Sequence, residues 1–238
     1  MIILFSPAKT FNPTNQQAVS TPVFQNRALE LMTKLKKTAP EKIKSHMKLS
    51  EALLSRVLGY HDQFNQELKP AIYTYMGQAY KALDVYHFTD THIKRLSERV
   101  YILSALYGIL KPLDAISYYR LDFTHHLLGN LLHYWKKPVN DYLDKNHEDD
   151  VIVNLASLEF SQLINTDKHI VTLQFLTKKN QILKANSMHI KTMRGLVLRH
   201  MILYDIKTLE DIKKITIDHY HYDASLSDEH TFTFIKTT

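Results

Sequence analysis

The chain opens on Met1-Ile2-Ile3-Leu4-Phe5, an unbroken apolar run that stops at Ser6-Pro7. A short run of this kind, closed by a proline, is the pattern of a strand buried on both faces. Over residues 24–83 the spacing becomes helical, with Leu29, Met32 and Leu35, then Leu49, Leu53, Leu54, Val57 and Leu58 falling on helix faces. Pro40 and Pro70 suit first-turn positions and divide this region into several helices. A helix predicted over 90–98, capped by Thr89 or Asp90, precedes a strand over 100–106.

The second half alternates between the two periods. Residues 131–143 read as a helix that Pro138 interrupts, and 151–155 as a strand broken only by Asn154. Segments 169–175 and 181–184 flank the turn-like Lys178-Lys179-Asn180 and predict a hairpin. Helices are expected over 190–204 and 209–215, and 216–223 alternates with 231–236 like a closing antiparallel pair. With no repeat, low-complexity tract or linker, the expectation is one compact domain over residues 1–238, a mixed α/β fold with a central mixed sheet and surrounding helices.

Three of the predicted strands end alike. The first runs into Ser6-Pro7-Ala8-Lys9-Thr10, the second into Ser104-Ala105-Leu106-Tyr107-Gly108, and the third into Asn154-Leu155-Ala156-Ser157. Where parallel strands lie side by side, their carboxyl ends open into the crevice that takes ligands, and small residues there leave room. Ser, Ala and Asn also terminate strands and cap helices in most proteins. If these strands are neighbours, Ser6, Thr10 and Asn154 line a common pocket.

Charge changes the picture in one half only. The net charge is +6 over 238 residues. Residues 1–100 hold 14 Lys and Arg against 8 Asp and Glu, whereas the remainder holds 16 of each. Much of the excess lies on helical faces, at Lys34, Lys36, Lys37, Lys42, Lys44 and Lys48, as an ordinary solvated surface would have it. The absence of cysteine removes disulfides, thiolate metal sites and cysteine nucleophiles. No apolar run is long enough for a membrane span and no leader pattern follows Met1, so a cytoplasmic location and no membrane partner are expected.

Familiar signatures fail. Ala8-Lys9-Thr10 imitates the end of a phosphate-binding loop, but the glycines are missing and Pro7 removes an amide. There is neither a G-x-S-x-G elbow nor an H-E-x-x-H. Of the 14 histidines, His219 and His221 would share one face of a strand, yet no two-His, one-carboxylate spacing appears, and no metal or cofactor is assigned.

Ser6-Pro7-Ala8-Lys9-Thr10, the dodecapeptide LSALYGILKPLD ending at Asp114, Tyr119-Arg120-Leu121-Asp122-Phe123, the heptapeptide NLASLEF starting at Asn154, and Lys191-x-x-Arg194-Gly195 occur in an order that resembles the YaaA peroxide-stress family. The resemblance implies a cytosolic bacterial protein that limits damage from peroxide and intracellular iron. It also implies a mixed α/β fold with a positively charged cleft, a helix-hairpin-helix-like element beside it, and binding to duplex DNA. Three places depart from the family pattern. Met76-Gly77-Gln78-Ala79-Tyr80 stands where Lys-Gly-Asp-Val-Tyr is usual, Asp122-Phe123-Thr124 where Glu-Met-Gly is common, and His219 where a glycine usually precedes Tyr220.

Two functional readings follow, and a third is weaker. For duplex or distorted DNA, Lys9, Lys111, Arg120, Lys191, Arg194 and Arg199 would neutralise phosphates, and a turn at Gly108 would offer backbone amides. Lys191 and Arg194 share a helix face from which Arg199 is rotated away. Tyr107, Tyr118 and Tyr119 could stack on exposed bases, although such tyrosines are more often core. For an enzyme of unknown substrate, Lys9, Arg120, Asp122, Asn154, Ser157 and Glu159 would form a polar pocket, with Asp122 or Glu159 as general base, Ser157 as a further catalytic candidate, and no covalent nucleophile identified. Direct iron handling by histidines and carboxylates lacks the ligand spacing.

Overall fold

Ile2–Phe5 forms a strand, β1, with all four side chains buried. This is why its sequence shows no alternation, since both faces of a central parallel strand are covered. The computed structural model describes residues 1–179 and 182–237. After β1 come β2 (Thr10–Phe11), α1 (Gln25–Lys36), α2 (Pro40–Met47), α3 (Glu51–Asp62), β3 (Lys69–Pro70), α4 (Ala71–Thr74), β4 (Tyr75–Met76), α5 (Gln78–Leu83) and α6 (Asp90–Arg99). Next are β5 (Val100–Ser104), β6 (Gly108–Leu110), β7 (Ala115–Ile116), α7 (Leu131–His147), β8 (Ile152–Asn154) and α8 (Leu158–Ser161). The chain finishes with β9 (Ile170–Lys179), β10 (Ile182–Lys184), α9 (Ser187–Leu203), α10 (Leu209–Lys213), β11 (His221–Tyr222) and β12 (Thr231–Thr237).

The main sheet has the order β11-β12-β9-β8-β1-β5-β6, with β10 paired to β9. Its middle is parallel: β1 lies between β5, with Ile3 opposite Val100, and β8, with Ile2 opposite Ile152, while β9 continues from β8 to β12. Antiparallel pairing is confined to β6, β10 and β11. Two short ladders, β2 with β4 and β3 with β7, tie the loops to the helical region. Each fully buried Ile, Leu or Phe of these strands contributes about 1.5–3 kcal/mol. The result is the single mixed α/β unit that the pattern predicts.

Most elements fall where the periodicity places them. Pro40 opens α2, Thr89 caps α6 in a capping box with His92, and α7 runs through Pro138 without ending. Pro70 differs: it belongs to the short strand β3 and immediately precedes α4, so it sits one step outside the helix. The hairpin of β9 and β10 forms, with Ile182 opposite Lys179, while Asn180 of the expected turn lies outside the described residues. The closing pair also forms, with His221 opposite Ile235. His219, however, has φ of 64° in the turn that joins Ile217 to Tyr220, so it shares no strand face with His221.

One contact fixes the helix that reaches the sheet edge. A Cβ on Gly195 of α9 would stand 2.0 Å from the Ala79 carbonyl oxygen of α5, so the two helices cross at a distance only glycine permits.

Candidate functional site

Because β1, β5 and β8 are adjacent and parallel, their carboxyl ends share one edge of the sheet. The loops leaving β1 and β8 are stitched together there. The Ser157 backbone N–H donates to Ser6 Oγ at 2.8 Å, and the Leu155 N–H donates to the Leu4 carbonyl at 2.9 Å. Asn154 is buried and shapes its own turn, accepting from the Ala156 N–H at 2.9 Å while its amide donates to Thr172 Oγ1 at 3.2 Å.

The end of β5 takes another course. Ser104 Oγ accepts the N–H groups of Leu106 and Tyr107 and bonds the Tyr119 hydroxyl at 2.8 Å, and that hydroxyl meets Tyr75 at 2.7 Å. Tyr119 therefore seals this strand end, and residues 119–122 supply the wall that the segment after β5 was expected to supply.

The loops enclose a cavity of about 330 Å³. Phe5, Leu155 and Tyr80, all buried, line it, and the Tyr80 hydroxyl donates to the Ser6 carbonyl at 2.8 Å. Ser6 to Thr10 form one side, Met76 to Ala79 a second, Arg120 to Asp122 a third, and Ser157, Glu159 and Phe160 a fourth, with Lys191 and Arg194 reaching in from α9. Thr10 is held by its hydroxyl, which donates to the Met76 carbonyl at 2.6 Å.

Two carboxylates in this cavity behave oppositely. Burial pushes Asp122 up, but hydrogen bonds from Lys9 and Thr124, with the charges of Lys9 and His125, outweigh it and hold the carboxyl below its ordinary range. Lys9 Nζ lies 2.6 Å from Asp122 Oδ2, Thr124 donates to Oδ1 through its hydroxyl at 2.6 Å, and His125 Nε2 lies 3.5 Å away. Glu159 is pushed up by burial, with Lys9 pulling the other way and Asp122 adding to the rise, and its buried Oε1 has no hydrogen-bond partner. The two carboxyls are thus shifted in opposite directions by their surroundings.

The cations divide as sharply. Lys9 is paired with Asp122, whereas the side chains of Arg120, Lys191 and Arg194 make no hydrogen bond or ion pair among the described residues. Arg194 is the extreme case: its Nε is buried and unpartnered, and burial alone lowers its pKa. A buried guanidinium is costly unless something anionic meets it.

Other predicted site residues lie elsewhere. Gly108, with φ of 72°, packs so closely on Trp135 that a Cβ would stand 2.6 Å from the indole ring, so it is buried and faces no cleft. Lys111 is exposed at a separate surface groove beside Ser20 and Glu98, and its N–H donates to Asp114 Oδ2 at 2.7 Å. Arg199 donates to the carbonyls of Leu83 and Asp84 at 2.9 and 2.8 Å and pairs with the Asp84 carboxylate at 3.2 Å, so its donors are used inside the fold. Tyr107 and Tyr119 are buried, and Tyr118 stacks on Phe11 at 4.9 Å. Among the described residues no cluster of three His, Asp or Glu side chains could hold a metal ion, and no helix is long and apolar enough to cross a membrane.

The lining positions Met76 to Tyr80 are absent from the predicted site residues. The signal for them was the cluster of departures from the family pattern over 76–80, which falls on the cavity wall.

The fold and cavity define an α/β protein with a cationic cleft at the carboxyl edge of a mainly parallel sheet. A family model described as peroxide stress protein YaaA matches residues 1–226, and the chain belongs to that family. Among its relatives, a UPF0246 protein of Marinomonas sp. is 34% identical over 252 residues, covering 99% of this chain and 97% of the relative. Another, from Flavobacterium psychrophilum, is 34% identical over 254 residues, covering 99% and 100%, and one from Fusobacterium nucleatum is 33% identical, covering 99% of each.

Proposed function

We propose that this peroxide-stress protein acts by holding DNA at the cleft, with phosphates on Arg120, Lys191 and Arg194 and an unstacked nucleotide in the cavity. The observation that carries this reading is Arg194, a half-buried cation whose Nε is buried and unpartnered and which has no anion of its own. The cavity's volume of about 330 Å³ suits a nucleotide-sized ligand and excludes a duplex. Met76, Tyr80 and Phe160 give the cavity apolar surface against which a base can rest. Lys111 and Arg199 take no part in this version, because one lies elsewhere and the other is used internally. Affinity should come from counterion release and fall steeply with salt. In salt titrations of duplex, gapped and single-stranded DNA, the double substitution Lys191→Gln and Arg194→Gln is expected to weaken all binding and flatten the salt slope by about 2. Unchanged affinity and slope in the folded variant would remove the assignment.

A second reading, an enzyme acting on an anionic substrate, is favoured by the contrast between Asp122 and Glu159, which places a general acid beside cations. Here Glu159→Gln should leave DNA affinity intact and abolish protection from peroxide; full protection would count against it.

A further inference from the structure

We infer, resting on the DNA reading above, that the group entering the cavity is a phosphomonoester at a DNA terminus, held by Arg194, Lys191 and Arg120 and by a hydrogen bond from the Glu159 carboxyl. The first argument is shape. Phe5, Leu155 and Tyr80 line the cavity and are buried, and its volume of about 330 Å³ has room for about one nucleotide, so the end of a strand fits where a continuous strand does not. The second is charge. A terminal phosphate carries about −1.5 to −2 at neutral pH, and the next phosphodiester adds one more negative charge. That total matches three cations which no protein carboxylate neutralises, since Asp122 is committed to Lys9, Thr124 and His125. An interior phosphodiester with a neighbour brings a similar total, but the monoester concentrates about −1.5 to −2 on one group where a diester has −1.

Hydrogen bonding is the third argument. Arg194 Nε and Glu159 Oε1 are buried with no partner. A guanidinium offers paired donors to phosphate oxygens, and a neutral carboxyl offers one more. An ionised carboxyl at Glu159 would repel the phosphate, and burial, which raises its pKa, lowers the cost of its taking a proton when the phosphate enters. A phosphate thus satisfies both orphaned atoms at once.

The test uses the full chain and three short duplexes of one sequence at about 0.1 M salt, where distant charges are screened. One carries 5′-phosphates, one 5′-hydroxyls, and one is closed by hairpin loops so that it has no ends. The phosphorylated duplex should bind at least about tenfold more tightly than the other two, as charge-assisted contacts to one extra dianion require. Arg194→Gln should erase this preference, a nucleoside monophosphate should displace the phosphorylated duplex, and Glu159→Gln, which keeps a neutral donor, should retain it. If Arg194→Gln does not fold, Lys191→Gln at an exposed position serves instead and should reduce the preference. Equal affinity for all three duplexes would overturn the inference and leave the DNA reading standing. Absence of binding to any of them would remove that reading itself, and with it the inference.

Discussion

Arg194 and Arg199 lie five residues apart on α9, and their guanidinium groups meet different surroundings. Arg199 reaches past the end of α5, where two backbone carbonyls and the Asp84 carboxylate accept its protons and Phe88 lies 5.5 Å beneath it. Arg194 enters the cavity and meets no acceptor among the described residues. Helical spacing explains the divergence, since five residues turn the helix well away from the starting face. The lesson concerns cations generally: an arginine whose donors are used by carbonyls at a helix end is part of the scaffold. One left unmatched in a concave site is free to meet a ligand.

The largest expected effect disturbs both arginines together. Gly195→Ala would drive a Cβ into the Ala79 backbone and push α9 away from α5, at a cost of about 3 kcal/mol by chemical denaturation. A near-neutral result would mean that the helix crossing is looser than the 2.0 Å approach implies.

Next in size is the direct comparison. Arg199→Ala should cost about 2 kcal/mol by leaving carbonyls at the end of α5 unsatisfied. Arg194→Met should change stability by less than about 0.5 kcal/mol or raise it, because an uncompensated buried charge is removed, while ligand binding is lost. Equal destabilisation by both would erase the distinction between scaffold and site.

The smallest effect is in pH dependence and separates the two carboxylates. Burial raises the folded-state pKa of Glu159, so the native state binds a proton that the unfolded chain has lost. The stability associated with it falls as pH rises from the ordinary value of 4.5 toward the raised one. Glu159→Gln should therefore be relatively more stable at neutral pH, the difference closing below 4.5. Asp122 has the opposite sign, because partners outweigh its burial. Its contribution is present above 3.8 and lost as pH falls through its lowered pKa, so Asp122→Asn should be destabilised at neutral pH. Melting temperatures from pH 3 to 8 would show both signs, and parallel curves would refute them.

Much of the scaffold was legible because burial leaves a direct trace in sequence. The unbroken apolar runs of β1, β5 and β8 announced strands covered on both faces, and the small residues after them marked the edge where Ser6 and Ser157 meet. What periodicity does not encode is who reaches whom across the chain. The Ser104 hydroxyl meets Tyr119, 15 residues on, and this moved the third wall of the cavity from the segment after β5 to Arg120 and Asp122. The Lys9–Asp122 pair spans 113 residues, and no local pattern signals it. Gly108 looked like a turn offering amides because its size was visible and the Trp135 ring above it was not.

The position of β12 bears on how the protein is made. It lies between β11 and β9, and its seven residues pair in parallel with Thr172 to Lys178. On a ribosome, the chain emerges with that edge of β9 open, and Phe175 lacks its neighbour Phe234 until β12 clears the exit tunnel. A nascent chain stalled before Thr231 would therefore present an unpaired strand edge to other chains, the kind of surface on which aggregation begins.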